Sequence, residues 1–177
     1  ELIIADVRRR GDDALLRYSQ QFDGVRLSKD ALRVGDSEFS DAYSMLPEDA
    51  IVAIKEAAAA IEEVHRRQLP RAKYLRRGGG VSIKLAFKPI GRVGAYVPGG
   101  RAPYPSTALM ACVPAKVAGV REVVACTPPR RDGSVHPAVL VALDVAGVRN
   151  VFRVGGAQAI AAMAYGTQTV PKVDKIV

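Results

Sequence analysis

Two pairs of adjacent glycines, Gly99-Gly100 and Gly155-Gly156, are the residues with the clearest capacity for chemistry. Each pair closely follows a short apolar run, Val93-Gly94-Ala95-Tyr96-Val97 in one case and Val151-Phe152-Arg153-Val154 in the other. Where side chains are absent a ligand can approach the main chain, and free amides at a following helix start can meet phosphate oxygens. A turn that needs positive φ is the commoner reason for an isolated pair. Two pairs at the ends of two strands shift the balance toward a binding edge. Neither pair forms GxGxxG, and no acidic residue follows at the spacing of the standard dinucleotide fingerprint.

Other candidates for chemistry are sparse. Of the two histidines, His65 falls in a helical stretch and His136 stands before Pro137 at an expected helix start. Neither has a Cys, His or carboxylate partner at metal-ligand spacing, so a surface or capping role is expected for both. GxSxG, HExxH and the P-loop are absent from the sequence. Cys112 and Cys126 lie in apolar surroundings and offer neither a disulfide framework nor a CxxC knuckle, which fits a reducing, cytoplasmic compartment.

These residues must be positioned by an ordinary globular core. The 177 residues are 49% hydrophobic and 25% charged, and a chain of this length can bury about 70% of its unfolded surface. The longest apolar runs, such as Ala138-Val139-Leu140-Val141-Ala142-Leu143, fall short of a membrane span. A net charge of +8, from 26 Lys+Arg against 18 Asp+Glu, draws anionic ligands. The chain opens inside an amphipathic pattern at Glu1 and closes on Asp174-Lys175-Ile176-Val177, so it is expected to be a portion of a longer polypeptide.

Apolar residues between Leu2 and Phe22 recur at helical spacing, with Gly11-Asp12 a break between two short helices and Phe22-Asp23-Gly24 their end. A longer helix is expected from Pro47 as its first residue, burying Ile51, Ile54, Ala58 and Ile61. Beyond residue 80 the pattern changes to strands, first Val81 to Phe87 and then Val93 to Val97. Ala118-Gly119-Val120-Arg121-Glu122-Val123-Val124 is echoed by Ala146-Gly147-Val148-Arg149-Asn150-Val151-Phe152, each a helix that ends on glycine and enters a strand. Strands near 93, 123, 151 and 175 with helices between them predict an α/β fold: N-terminal helices, then an incomplete doubly wound parallel sheet of Rossmann-like βαβ units. Ser106 is expected to cap the helix after the first loop, and Pro114 to kink or restart it.

Residues 1–90 are expected to be a helical region with strands, part of a larger α/β domain, and residues 91–177 the first part of a nucleotide-binding βαβ domain. The apolar faces of the first 90 residues exceed what one hairpin covers. They are therefore expected to pack on a partner chain or on segments outside this sequence, leaving an exposed apolar patch.

Several segments carry a resemblance. Arg92-Val93-Gly94-Ala95-Tyr96-Val97-Pro98-Gly99-Gly100-Arg101-Ala102-Pro103, Pro105 to Met110, Val154-Gly155-Gly156-Ala157-Gln158-Ala159-Ile160-Ala161-Ala162 and Val170 to Ile176 closely resemble histidinol dehydrogenase. Arg10-Gly11-Asp12-Asp13-Ala14-Leu15 with Tyr18 and Phe22-Asp23 is similar to that family's N-terminal region. The likeness is collinear over the whole chain, covers less than half of a family enzyme, and stops before the family's Gly-Pro-Gly-Asn segment.

The resemblance implies NAD-dependent oxidation of L-histidinol to L-histidine through the aldehyde, with zinc holding the substrate and a Glu-His pair moving protons. It places the zinc and proton-transfer residues outside this chain, so no catalytic or metal residue is assigned here. It assigns NAD contacts to Tyr96 and Gln158, beside the loop glycines Gly99, Gly100, Gly155 and Gly156. It also implies a homodimer, and this chain alone is expected to be inactive. Two alternatives are a related zinc-dependent dehydrogenase of a sulfonated diol and a basic anion- or nucleic-acid-binding module. The second is motivated by the run from His65 to Arg77, but its single tyrosine and the 6% aromatic content of the chain argue for a solvated surface instead.

Overall fold

The computed structural model describes residues 2–99 and 102–177. Its first part is helical: α1 (Leu2–Arg10), α2 (Asp12–Tyr18) continued by a π-helical turn (Ser19–Asp23), a short 3-10 turn (Asp30–Leu32), α3 (Asp36–Ser44) and α4 (Glu48–Gln68). A hairpin of β1 (Lys73–Arg77) and β2 (Val81–Leu85) follows. Then strands and helices alternate: β3 (Arg92–Tyr96), α5 (Pro105–Val117), β4 (Glu122–Thr127), α6 (Pro137–Val145), β5 (Asn150–Arg153), α7 (Gly156–Tyr165) and β6 (Lys175–Ile176).

The four later strands form one parallel sheet in the order β5-β4-β3-β6, as the βαβ rhythm predicts. Apolar residues fill consecutive positions of these strands because both faces are buried. Val93, Ala95, Val97, Val123, Ala125 and Val151 share one cluster with α5 and α6. Val124, Cys126, Phe152 and Val154, the alternate positions, share the other with α7. Gly94 lets α7 approach closely, since a Cβ there would fall 2.6 Å from the Met163 sulfur.

Helices of the first 68 residues complete both layers. Val7, Ala14, Leu15 and Tyr18 of α1 and α2 join the α7 cluster, whereas Phe39, Ala42, Ile54 and Ala58 of α3 and α4 join the α5–α6 cluster. Each core thus draws on residues from both sides of position 90. Gly11, at φ +56, separates α1 from α2. The Asp12 side chain is buried and accepts from the Thr169 amide (3.3 Å) and hydroxyl (2.6 Å), tying α2 to the loop after α7.

The outer edge of β5 is also covered. Val34 donates to the Val151 carbonyl (2.9 Å), and Arg33 bridges Phe152 antiparallel. Arg153, only 5% exposed, donates to the carbonyls of Ala31 (2.8 Å) and Arg33 (2.9 Å) and pairs with Glu38. Burial pushes the Glu38 carboxyl up, but the Arg153 guanidinium and the Gly35 amide outweigh it and hold the group below its ordinary value.

Several local expectations differ from the structure. Pro47 keeps an extended backbone just before α4 instead of opening it, and Tyr104, not Ser106, occupies the cap position of α5. The latter follows from Pro105, whose fixed φ suits a first helical residue and starts the helix earlier. α5 runs on through Pro114 to Val117 with no restart. β2 ends at Leu85 rather than Phe87, and the basic run includes its partner β1, Lys73–Arg77. Every residue of this hairpin is exposed. Pairing of Leu75 with Ile83 puts them on one apolar face with Val81 and Leu85, and that face stands uncovered.

Glu38→Gln should cost about 2 kcal/mol at neutral pH, because it leaves a buried guanidinium without its counter-charge. A carboxyl held low in the folded state stabilises above its unfolded pKa, and that contribution is lost as pH falls toward the folded value. Urea unfolding across pH should therefore show the wild type approaching the variant in acid, with the gap constant if Glu38 plays no such part.

Candidate functional site

In the sheet, the chain moves from β3 through β4 to β5 and then crosses to β6 on the other side of β3. Ligands in open α/β sheets bind at such a reversal, beyond the carboxyl ends of the strands. A cleft of about 700 Å³ opens beyond the carboxyl ends of β3, β4 and β5. Tyr96 and Gly99 line it after β3, Thr127 to Arg131 after β4, His136 and Val139 at α6, and Gly156 at the start of α7. The π-helical turn brings Phe22 and Asp23 to the same cleft from the N-terminal region.

The expected glycine residues have distinct duties. A Cβ at Gly99 would lie 2.7 Å from the Pro128 ring, and one at Gly155 would lie 2.6 Å from Pro128 Cβ and 3.2 Å from its Cα. Pro128 therefore fills the space against both backbones, so their lack of a side chain serves loop packing. Gly156 adopts φ +60, and its N–H donates to the Tyr96 hydroxyl oxygen at 3.0 Å. This bond joins the β3 loop to the α7 start and leaves the Tyr96 hydroxyl proton for another acceptor. Gly100 lies outside the described residues.

Gln158 is 1% exposed and does not line the cleft, and its Oε1 is buried without a hydrogen-bond partner. A Cβ on Gly156 would come within 2.9 Å of that oxygen. The side chain thus lies beneath the α7 start, behind Tyr96 and Gly156.

Titratable groups divide by burial. His136 caps α6, its Nδ1 accepting from the Ala138 amide (3.2 Å); burial, then Arg130, lowers its pKa. His65 Nδ1 bonds the Ile61 carbonyl (2.7 Å) on α4 and takes no part in the cleft. Cys112 and Cys126 are buried and pushed up to about 12, which removes them as thiolate nucleophiles. Among the described residues, no group of three or more His, Cys, Asp or Glu is placed to hold a metal.

Asp23 is a residue lining the cleft that spacing did not single out. One carboxylate oxygen, Oδ2, is buried with no hydrogen-bond partner, and burial raises the group's pKa. Sequence marked Phe22-Asp23-Gly24 only as a helix end and as part of the family likeness. Arg130 and Arg131 also escaped notice, lying in an ordinary polar turn between β4 and α6.

The histidinol dehydrogenase family model matches residues 1–177. The chain belongs to the histidinol dehydrogenase family. It is 54% identical to histidinol dehydrogenase of Methanopyrus kandleri over all of this chain and 42% of that protein. It is 51% identical to histidinol dehydrogenase of a Synechococcus species, over 98% of this chain and 40% of that one. The crystal structure of histidinol dehydrogenase from Elizabethkingia anophelis superposes with a TM-score of 0.94 at 36% identity, over 99% of this chain and 40% of that one. The chain thus spans about 40% of the length of these histidinol dehydrogenases.

Gly155→Ala should destabilise the chain by about 1–3 kcal/mol, because a methyl group cannot share the space of Pro128 without moving the loop. Chemical denaturation checks it, and an unchanged midpoint would show that the loop yields freely.

Proposed function

We propose that this chain supplies part of the NAD site of an enzyme that oxidises L-histidinol to L-histidine through the aldehyde. The single observation that carries the reading is the family match across residues 1–177, reinforced by the cleft beyond the carboxyl ends of the strands. NAD supplies a hydride acceptor for each of the two oxidations. The fit to that cofactor rests on the Tyr96 hydroxyl and on a buried, unpartnered oxygen at Asp23 and at Gln158.

Tyr96 holds the two glycine loops together through Gly156 and presents its remaining proton to an acceptor in the cleft. Arg130 and Arg131 line the same cleft and attract a diphosphate. Gln158 lies behind this wall, so its contact with cofactor, as the family likeness implies, requires the Gly155-Gly156 turn to move. Gly99 and Gly155 act through loop shape, and Gly100 belongs to the same loop by sequence.

Among the described residues, no cluster of His, Cys, Asp or Glu makes a zinc site. Its ligands and the groups that transfer protons to and from substrate are assigned to the remainder of a family enzyme. We extend the reading to a homodimer in the cytoplasm, with residues 1–90 part of a larger α/β domain and residues 91–177 beginning the nucleotide-binding one.

The intact protein should reduce NAD when given L-histidinol, followed by absorbance of NADH, and failure to do so would refute the activity. Residues 1–177 alone should give no turnover and at most weak NAD binding, since part of a site rarely offsets the freedom a ligand loses. Tyr96→Ala in the intact enzyme should raise the KM for NAD several-fold with little change in kcat. A large fall in kcat at unchanged KM would place Tyr96 in the chemical step instead.

A further inference from the structure

We propose that Asp23 accepts hydrogen bonds from the adenosine ribose hydroxyls of the dinucleotide and thereby selects NAD over NADP; this rests on the NAD reading above. A carboxylate with free lone pairs is the usual partner of a 2′-hydroxyl and repels a 2′-phosphate. The sequence lacks such an acid at the customary distance after a strand. The fold delivers one from elsewhere.

Three observations converge on this residue. Asp23 lines the cleft with Tyr96 and Gly156, so it shares a wall with the proposed cofactor contacts. Its Oδ2 is buried and has no protein donor, an arrangement that costs stability and that a ligand hydroxyl relieves once the side chain turns toward the cleft. The backbone that carries it is a π-helical turn closed by Gly24 at φ +71, and such turns recur at functional sites. Phe22, beside it, is 53% exposed and stacks on Tyr18 with centroids 5.5 Å apart, which gives a base a flat apolar surface next to the ribose acceptor.

The charges in the cleft agree with this division. Arg130 and Arg131 are suited to the diphosphate that every dinucleotide carries. Arg130 is also engaged with Asp132 at 3.7 Å. Discrimination at the ribose therefore falls to Asp23, the one acidic side chain lining the cleft among the described residues.

The test is direct binding of NAD and NADP to the intact protein by calorimetry, with Asp23→Asn compared to wild type. The variant should bind NAD about tenfold more weakly, having exchanged a charge-assisted acceptor for a neutral one. Its affinity for NADP should hold or rise, so the preference ratio collapses. The ligand-free variant should melt no lower than wild type, because an unpaired buried charge has been removed. Equal losses for both cofactors, or no change in either, would overturn the assignment while leaving the cofactor reading intact. Wild type that binds neither cofactor would overturn the cofactor reading itself. A measurement on wild type alone guards against a variant that fails to fold: 2′-deoxy-NAD should bind several-fold more weakly than NAD, and equal binding would defeat the proposal.

Discussion

Because the β5-β4-β3-β6 sheet is apolar on both sides, no stable state leaves either face in water, and the remaining architecture follows from covering them. The crossover helices α5 and α6 cover one face and α7 the other, as a reversal of strand order demands. They do not suffice. α1 and α2 close the α7 side, and α3 and α4 form a further layer on α5 and α6. The strand-like segment around Val34 and the buried Arg153–Glu38 pair then finish the β5 edge. An unpaired edge would otherwise invite association with another chain.

The same covering places functional groups. The helical pair that buries the α7 side must end near the carboxyl edge of the sheet, and its π-helical turn carries Phe22 and Asp23 into the cleft. At that edge Pro128 sits against Gly99 and Gly155, so the three loops after β3, β4 and β5 share one close-packed junction. The Tyr96 to Gly156 hydrogen bond links the same loops a step further out. Rigidity there keeps contacts from distant parts of the sequence in register, which a binding site requires.

Two features stand apart from this economy. The β1–β2 hairpin presents an uncovered apolar face, which an isolated two-stranded hairpin seldom maintains in water. The unpartnered oxygens of Gln158 and Asp23 likewise oppose folding and gain nothing from the protein atoms around them.

Periodicity and punctuation sufficed for the local elements. The Gly11 break, the amphipathic α4, the recurrent glycine-ended helices and the β-branched runs each have short-range physical causes, and from them the parallel βαβ sheet was legible. So were the two glycine loops, because strand ends can be counted along the chain, whereas Tyr96 was singled out by the family likeness. What sequence alone left open was which distant atoms meet. That Pro128 packs against both Gly99 and Gly155, and that the Gln158 side chain is buried rather than lining the cleft, were decided by tertiary packing. Asp23 is the sharpest case. Its neighbours in sequence mark a helix end and a family likeness, whereas its place in the cleft is set only when the N-terminal helices dock on the sheet.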